Sequence, residues 1–146
     1  NDILLKIDDW TNLKIDVIQL DSESLFKIYE IIDSSETCEN FVKSKTKNIF
    51  EPLFEKFNGH IRISSFYRGP ALNKAVGGSK SSQHMTGEAI DIQGANGVTN
   101  AEIYRYVRDN MNFDQLIWEF GTSKEPAWVH VSLKKVGNRK QTLTIK

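Results

Sequence analysis

The chain has 146 residues, 39% of them hydrophobic, and its 19 Lys and Arg balance its 19 Asp and Glu. This length and composition predict a single globular domain, and the zero net charge argues against a nucleic-acid binder, which normally carries a basic excess. No apolar run is long enough to cross a bilayer or resembles a secretory signal, and the single cysteine excludes an internal disulfide.

The first part of the chain, residues 1–58, has mainly helical patterns. Apolar residues recur at helical spacing over 21–32 and again over 37–57. Pro52 lies inside the second pattern and predicts a kink or break there, and Asn58-Gly59 is a typical C-terminal stop. These apolar stripes are expected to form core.

From residue 60 onward the pattern changes to strands. Short alternating segments predict strands, Pro70 favours the start of a short helix, and Thr99 with Glu102 forms a capping box that begins another helix. The predicted strands cover residues 60–64, 88–92, 113–120, 127–133 and 141–145. We therefore expect one α+β domain over 1–146, in which a small, mainly antiparallel sheet (60–145) packs on the N-terminal helices (1–58).

A polar loop that runs into a predicted strand carries two candidate metal ligands. His84 and Asp91 stand seven positions apart, and imidazole with carboxylate is a ligand set that suits zinc. Gly87 lies between them and can adopt a backbone angle that other residues avoid, so the chain can fold back and bring both ligands to one ion. Alone, such a pair is most often a surface histidine and a solvated acid.

Alternation along the strands adds two more groups. Side chains of a strand point to alternate faces, so each of three strands has one apolar face and one face with a group capable of chemistry. If the strands over 88–92, 115–120 and 127–133 share a sheet, then Asp91, Glu119 and His130 all emerge on its non-core side.

At this point the motifs resemble those of the M15 family of zinc peptidases. The matching runs are Ser64 to Gly78, Ser82 to Asp91, Phe113 to Glu119 and Trp128 to Ser132. The family includes D-alanyl-D-alanine carboxypeptidases, dipeptidases and phage endolysins, and the similarity is greatest to the small phage-type branch. It implies a fold like that of D-Ala-D-Ala peptidases and of the hedgehog signalling domain.

The resemblance implies that His84, Asp91 and His130 bind Zn²⁺ and leave a fourth position open, as in a catalytic site. Arg68 corresponds to the arginine that holds a substrate carboxylate or carbonyl oxygen. Ser82 either binds substrate or fixes the loop. Trp128 would be a substrate-site residue that orients the site or covers it.

The general base is the point at which the sequence departs from the family pattern. Many relatives have an acid three residues before the last histidine, but here Ala127 occupies that position. Glu119 and Glu125 are the two candidates. We favour Glu119, because strand alternation places it on the site face.

The implied function is hydrolysis of peptide bonds in peptidoglycan stem peptides, as a D,D- or L,D-carboxypeptidase or endopeptidase acting on the cell wall. The alternative is a zinc-containing binding module of the same fold, without catalytic activity. A complete ligand set together with Arg68 and an available acid favours the enzyme. We expect a monomer with no membrane insertion.

Overall fold

A computed structural model of the protein describes residues 46–146. The helix predicted over 21–32, the beginning of the one predicted over 37–57, and Cys38 lie outside the described residues. Within residues 46–146, no helix has the length and apolar character needed to cross a membrane.

The described elements alternate between short helices and strands. A π-helical turn, Thr46–Phe50, leads into α1 (Glu51–Lys56), and two further helices follow, α2 (Pro70–Ala75) and α3 (Asn100–Asn110). The strands are β1 (Ile61–Ser65), β2 (Ala89–Gly94), β3 (Gln115–Glu119), β4 (Trp128–Ser132) and β5 (Gln141–Ile145). Their bounds differ from the predicted ones by two residues or fewer at each end.

The five strands form one sheet in the order β1-β2-β4-β3-β5. The pairs β1–β2, β2–β4 and β4–β3 are antiparallel, whereas β5 joins the edge of β3 in parallel. This arrangement confirms the predicted α+β fold with a mainly antiparallel sheet. It also places β2, β4 and β3, the three strands with candidate site residues, side by side.

The core lies on one face of this sheet. Val129 and Val131 of β4 are fully buried there, together with apolar residues of β2, β3, α3 and the π-helical turn. The strand alternation predicted from the sequence is therefore confirmed for the core-facing residues. The opposite face carries Asp91 and His130, and the segment that contains His84 covers it at that point, so both are only 5% exposed.

Pro52 and Asn58 act where the sequence predicted that they would. The helical pattern changes from π to α just before Pro52: the π-helical turn ends at Phe50, whose backbone angles are still helical, and Pro52 lies in the first turn of α1. Proline fits there because the first amides of a helix have no partner within it. Asn58 and Gly59 both adopt positive φ angles, of 50° and 78°, directly after α1.

Candidate metal centre and active site

Neighbouring strands and one preceding loop position the three predicted metal ligands. Asp91 of β2 is paired directly with His130 of β4, so the two side chains lie next to each other on the same face. His84 arrives from the loop before β2. Gly87 has a φ angle of 68°, as its place between His84 and Asp91 predicted, and this left-handed conformation helps the loop to fold back over the sheet.

Three ligand atoms of this group form a nearly equilateral triangle. Nε2 of His84 lies 3.1 Å from Oδ1 of Asp91 and 3.1 Å from Nδ1 of His130, and the last two atoms are 3.0 Å apart. Ligands of a tetrahedral ion with bonds of about 2.0–2.1 Å lie about 3.3 Å apart. The triangle is therefore close to the size that a zinc ion requires, and the group could hold a metal ion.

The protonation of these side chains is also compatible with a cation at their centre. Nδ1 of His84 lies 2.6 Å from the carbonyl oxygen of Phe66, which can only accept a hydrogen bond. Nδ1 therefore carries the proton, and in a neutral ring Nε2 presents its lone pair to Asp91 and His130. Three such atoms that meet at about 3 Å need either a hydrogen, which a neutral His130 can supply from Nδ1, or a metal ion between them.

Asp91 remains ionised in this environment. Burial would raise the pKa of Asp91, but its contacts with the imidazoles, led by the hydrogen bond with His130, outweigh burial and lower the pKa well below its usual range. The second carboxylate oxygen faces Arg68, whose Nη2 lies 3.7 Å from it. A buried, ionised carboxylate with one oxygen directed at two imidazoles is suited to bind a cation.

Glu119 stands beside this group at the end of β3. Its Oε2 accepts a hydrogen bond of 2.5 Å from the indole nitrogen of Trp128, the residue paired with it on β4. Its Oε1 lies 3.9 Å from Nδ1 of His130. Burial, and next the negative charge of Asp91, raises the pKa of Glu119 above its usual value. One oxygen is thus held by Trp128 while the other faces the candidate metal ligands.

The other candidate base, Glu125, is hydrogen-bonded to the start of α3 and not to the candidate metal ligands. Its two carboxylate oxygens accept hydrogen bonds from the backbone amides of Asn100 and Ala101, at 2.7 Å and 3.2 Å. These are the first amides of α3, where a negative charge is stabilising. Glu125 therefore binds the β3–β4 loop to the start of this helix, a contact that the sequence did not reveal.

Arg68 and Ser82 have different relations to the group. The Arg68 side chain is 16% exposed beside Asp91, and its backbone amide donates to the carbonyl oxygen of His84 at 3.1 Å. Ser82 accepts a hydrogen bond from the backbone amide of His84 at 3.3 Å, which is a loop-fixing contact. The structure thus brings Arg68, Glu119 and Trp128 to the candidate metal ligands, and Ser82 to the loop that carries His84.

The sequence did not point to Asp114, which holds the loop that carries His84 through a hydrogen bond with Gln83. The Asp114 side chain is fully buried and accepts a hydrogen bond of 2.8 Å from the side-chain amide of Gln83, the residue before His84. Gln83 and Asp114 are 31 positions apart, so local periodicity gives no signal for this contact. The available signals were that Asp114 is a charged residue directly before an apolar strand and that it lies in the family-like run from Phe113 to Glu119.

Comparison with curated proteins gives no match. The sequence model of the family described as Peptidase M15 matches residues 20–132, which include all three candidate metal ligands, Arg68 and Glu119. Because this match covers most of the chain, the protein belongs to the M15 peptidase family.

Proposed function

We propose that the protein is a zinc-dependent metallopeptidase that hydrolyses peptide bonds in the stem peptides of peptidoglycan. The observation that carries this proposal is the triangle of His84, Asp91 and His130, with a second carboxylate, Glu119, next to it. A structural zinc site is usually closed by four protein ligands, whereas this group offers three, with an acid beside it. Membership of the M15 family supports a peptidase, and the peptidoglycan substrate rests on the resemblance of the sequence motifs.

His84, Asp91 and His130 would hold the ion through two nitrogens and one oxygen. When bound, zinc supplies a Lewis acid that polarises the scissile carbonyl and makes water more acidic. The carbonyl oxygen of Phe66 fixes the His84 ring so that Nε2 is directed at the site. Such supporting contacts set the tautomer and orientation of a ligand ring.

Glu119 is the proposed general base. Its Oε1 takes a proton from the attacking water and then transfers it to the nitrogen of the leaving amine as the peptide bond breaks. Trp128 holds Oε2 and so directs Oε1 toward the site. Glu125 does not compete for this role, because both of its oxygens are engaged by the start of α3.

Arg68 is the proposed substrate-binding residue. A guanidinium beside the metal ligands can hold a substrate carboxylate or a carbonyl oxygen by a charge-assisted hydrogen bond. Its Nε is buried and has no hydrogen-bond partner within residues 46–146. The side chain is 16% exposed, so the guanidinium can be reached by an incoming group.

The metal assignment is tested by measuring the zinc content of the purified protein and of His130→Ala. We expect about one zinc per chain in the wild type and little in the variant, since His130 supplies one of three ligands. Equal zinc content in the two proteins would refute the ligand assignment.

The activity is tested by incubating the protein with purified peptidoglycan and synthetic stem peptides and identifying products by mass spectrometry. Glu119→Gln should keep zinc and the fold but lose about 10²–10⁴-fold in rate, the usual contribution of a general base. If the wild type binds zinc but cleaves none of these substrates, the alternative of a zinc-containing binding module would gain support.

A further inference from the structure

The C-terminal segment after residue 132, where the family match ends, reaches the metal-ligand loop through a buried carboxylate. Asp114 stands directly before β3, and its side chain is fully buried. Its backbone is fixed on both sides, because its amide donates to Ser132 at 2.7 Å and its carbonyl accepts from Gln141 at 2.9 Å. The carboxylate is therefore a rigid acceptor.

Arg139 of the C-terminal segment donates hydrogen bonds to both oxygens of this carboxylate. Its Nε donates to Oδ1 at 2.8 Å, its Nη2 donates to Oδ2 at 2.5 Å, and its backbone amide donates to Oδ1 at 3.2 Å. Lys134 adds a more distant charge at 3.6 Å. A bidentate pair of this kind fixes geometry as well as charge, so Arg139 sets the orientation in which Asp114 faces its remaining partner.

That remaining partner is Gln83. Its side-chain amide donates to Oδ2 of Asp114 at 2.8 Å, while its backbone carbonyl accepts from Glu88 at 2.9 Å and from the Thr86 hydroxyl at 3.1 Å. Gln83 thus closes the loop with its main chain and attaches it to the sheet with its side chain. The next residue is His84, which is fully buried, so a displacement of Gln83 must move a candidate metal ligand.

We propose that Gln83, Asp114 and Arg139 form a positioning relay that holds His84 in place for the metal ion. The relay connects the C-terminal segment to a metal ligand through side chains, in addition to the backbone contacts that this segment makes with Glu88 and with the strand of Glu119. Within residues 46–146, the only side-chain hydrogen bond that holds the Gln83 amide is the one to Asp114. The proposal rests on the zinc site proposed above.

The relay is tested by zinc affinity, measured by competition with a chelator, and by the visible spectrum of the Co²⁺-substituted protein, which reports ligand geometry. Gln83→Ala should weaken zinc binding about 10- to 100-fold, the usual effect of removing a group that supports a ligand, and should alter the Co²⁺ spectrum. Arg139→Gln should weaken binding in the same direction. Arg139→Lys keeps a positive charge next to the Asp114 carboxylate and should therefore retain part of the zinc affinity that Arg139→Gln loses.

A double-mutant cycle separates the relay from general destabilisation. If Arg139 acts through Gln83, then Arg139→Gln will weaken zinc binding in the wild type but not further in Gln83→Ala. Additive effects on affinity would overturn the relay. Gln115→Ala is the matched control, because it removes another glutamine side chain, bonded to Gln141 at 2.8 Å, without touching the Asp114 carboxylate. It should bind zinc as the wild type does.

Two further outcomes distinguish failure of the relay from failure of the zinc site. If His84→Ala abolishes zinc binding while Gln83→Ala binds as tightly as the wild type, the relay is wrong and the zinc site stands. If His84→Ala binds zinc as the wild type does, the proposed site itself is wrong. Gln83→Ala leaves the Arg139–Asp114 pair intact and is expected to fold. If Arg139→Gln, which leaves the buried Asp114 without its partner, does not fold, Arg139→Lys takes its place in the cycle, because it keeps a positive charge there.

Discussion

Asp91 and Asp114 are both buried carboxylates, but different kinds of atoms face them. Asp114 meets donors only: the guanidinium and backbone amide of Arg139 and the amide of Gln83. Asp91 meets two imidazole nitrogens, of which the one on His84 presents a lone pair when the ring is neutral. Fixed donors of the protein saturate the first carboxylate, whereas the second, which also lies 3.7 Å from Arg68, directs one oxygen at two potential metal ligands.

The kind of atom that faces each carboxylate suggests its role independently of the sequence family: Asp114 is suited to a structural role and Asp91 to metal binding. Burying a charge is tolerated where fixed donors surround it, and Asp114 satisfies that condition. For Asp91 the two nearest groups, the imidazoles of His84 and His130, are themselves potential metal ligands. The energy of burying Asp91 is therefore offset by the ion that we propose to bind there, so we expect its removal to affect metal binding more than the fold.

The largest expected effect is that of Asp91→Asn on the metal. Asparagine keeps the shape but loses the negative charge, so zinc affinity should fall by more than the roughly 100-fold upper range of supporting groups. In the presence of a chelator, the variant should lose some stability, because the lowered pKa of Asp91 means that the fold favours its ionised form, but less than Asp114→Asn, which loses a bidentate ion pair. Zinc competition titration and urea unfolding measure the two quantities. If the variant binds zinc as tightly as the wild type does, Asp91 is not a metal ligand and the distinction between the two carboxylates is wrong.

Asp114→Asn should show the opposite pattern. With both proteins in chelator, the free energy of unfolding should fall by about 3 kcal/mol, the lower end for breaking a buried ion pair, since the half-exposed Arg139 can regain water. Zinc affinity should fall less than in Asp91→Asn. A variant that unfolds like the wild type would show that Asp114 contributes nothing to stability.

The same comparison has a pH signature. Hydrogen bonds from Arg139, which outweigh burial, lower the pKa of Asp114 well below its usual range. A lowered pKa adds stability that is complete above the unfolded value of about 3.9 and is lost as the pH falls below it. The stability difference between the wild type and Asp114→Asn should therefore shrink as the pH is lowered from 5 toward 3. The pKa of Asp91 is also lowered, but Asp91 is present in both proteins and its effect cancels.

How far the sequence predicts this molecule depends on the range of each interaction. Strand alternation is local, and it is enough to predict that Asp91, Glu119 and His130 lie on one face of the sheet. Sheet order, the parallel pairing of β5 and the contact of Gln83 with Asp114 join residues far apart in sequence, and no period in the chain encodes them. The role of Glu125 was hidden for the same reason, because its partners at the start of α3 lie 24 and 25 positions away.

Glu125 extends the comparison to a carboxylate nearer the surface, and it gives the smallest expected effect. Like Asp114 it meets donors only, here the amides of Asn100 and Ala101, but it is partly exposed. Glu125→Gln keeps one oxygen acceptor but loses the charge at the helix start, worth about 0.3–1 kcal/mol, and the longer of the two hydrogen bonds, the one from Ala101 at 3.2 Å. We therefore expect a small loss in the free energy of unfolding, with zinc content and peptide hydrolysis close to those of the wild type. If Glu125→Gln loses hydrolysis while Glu119→Gln stays active, the general base is Glu125. In that case, a carboxylate whose oxygens all accept hydrogen bonds from the protein can still be catalytic, and the comparison fails.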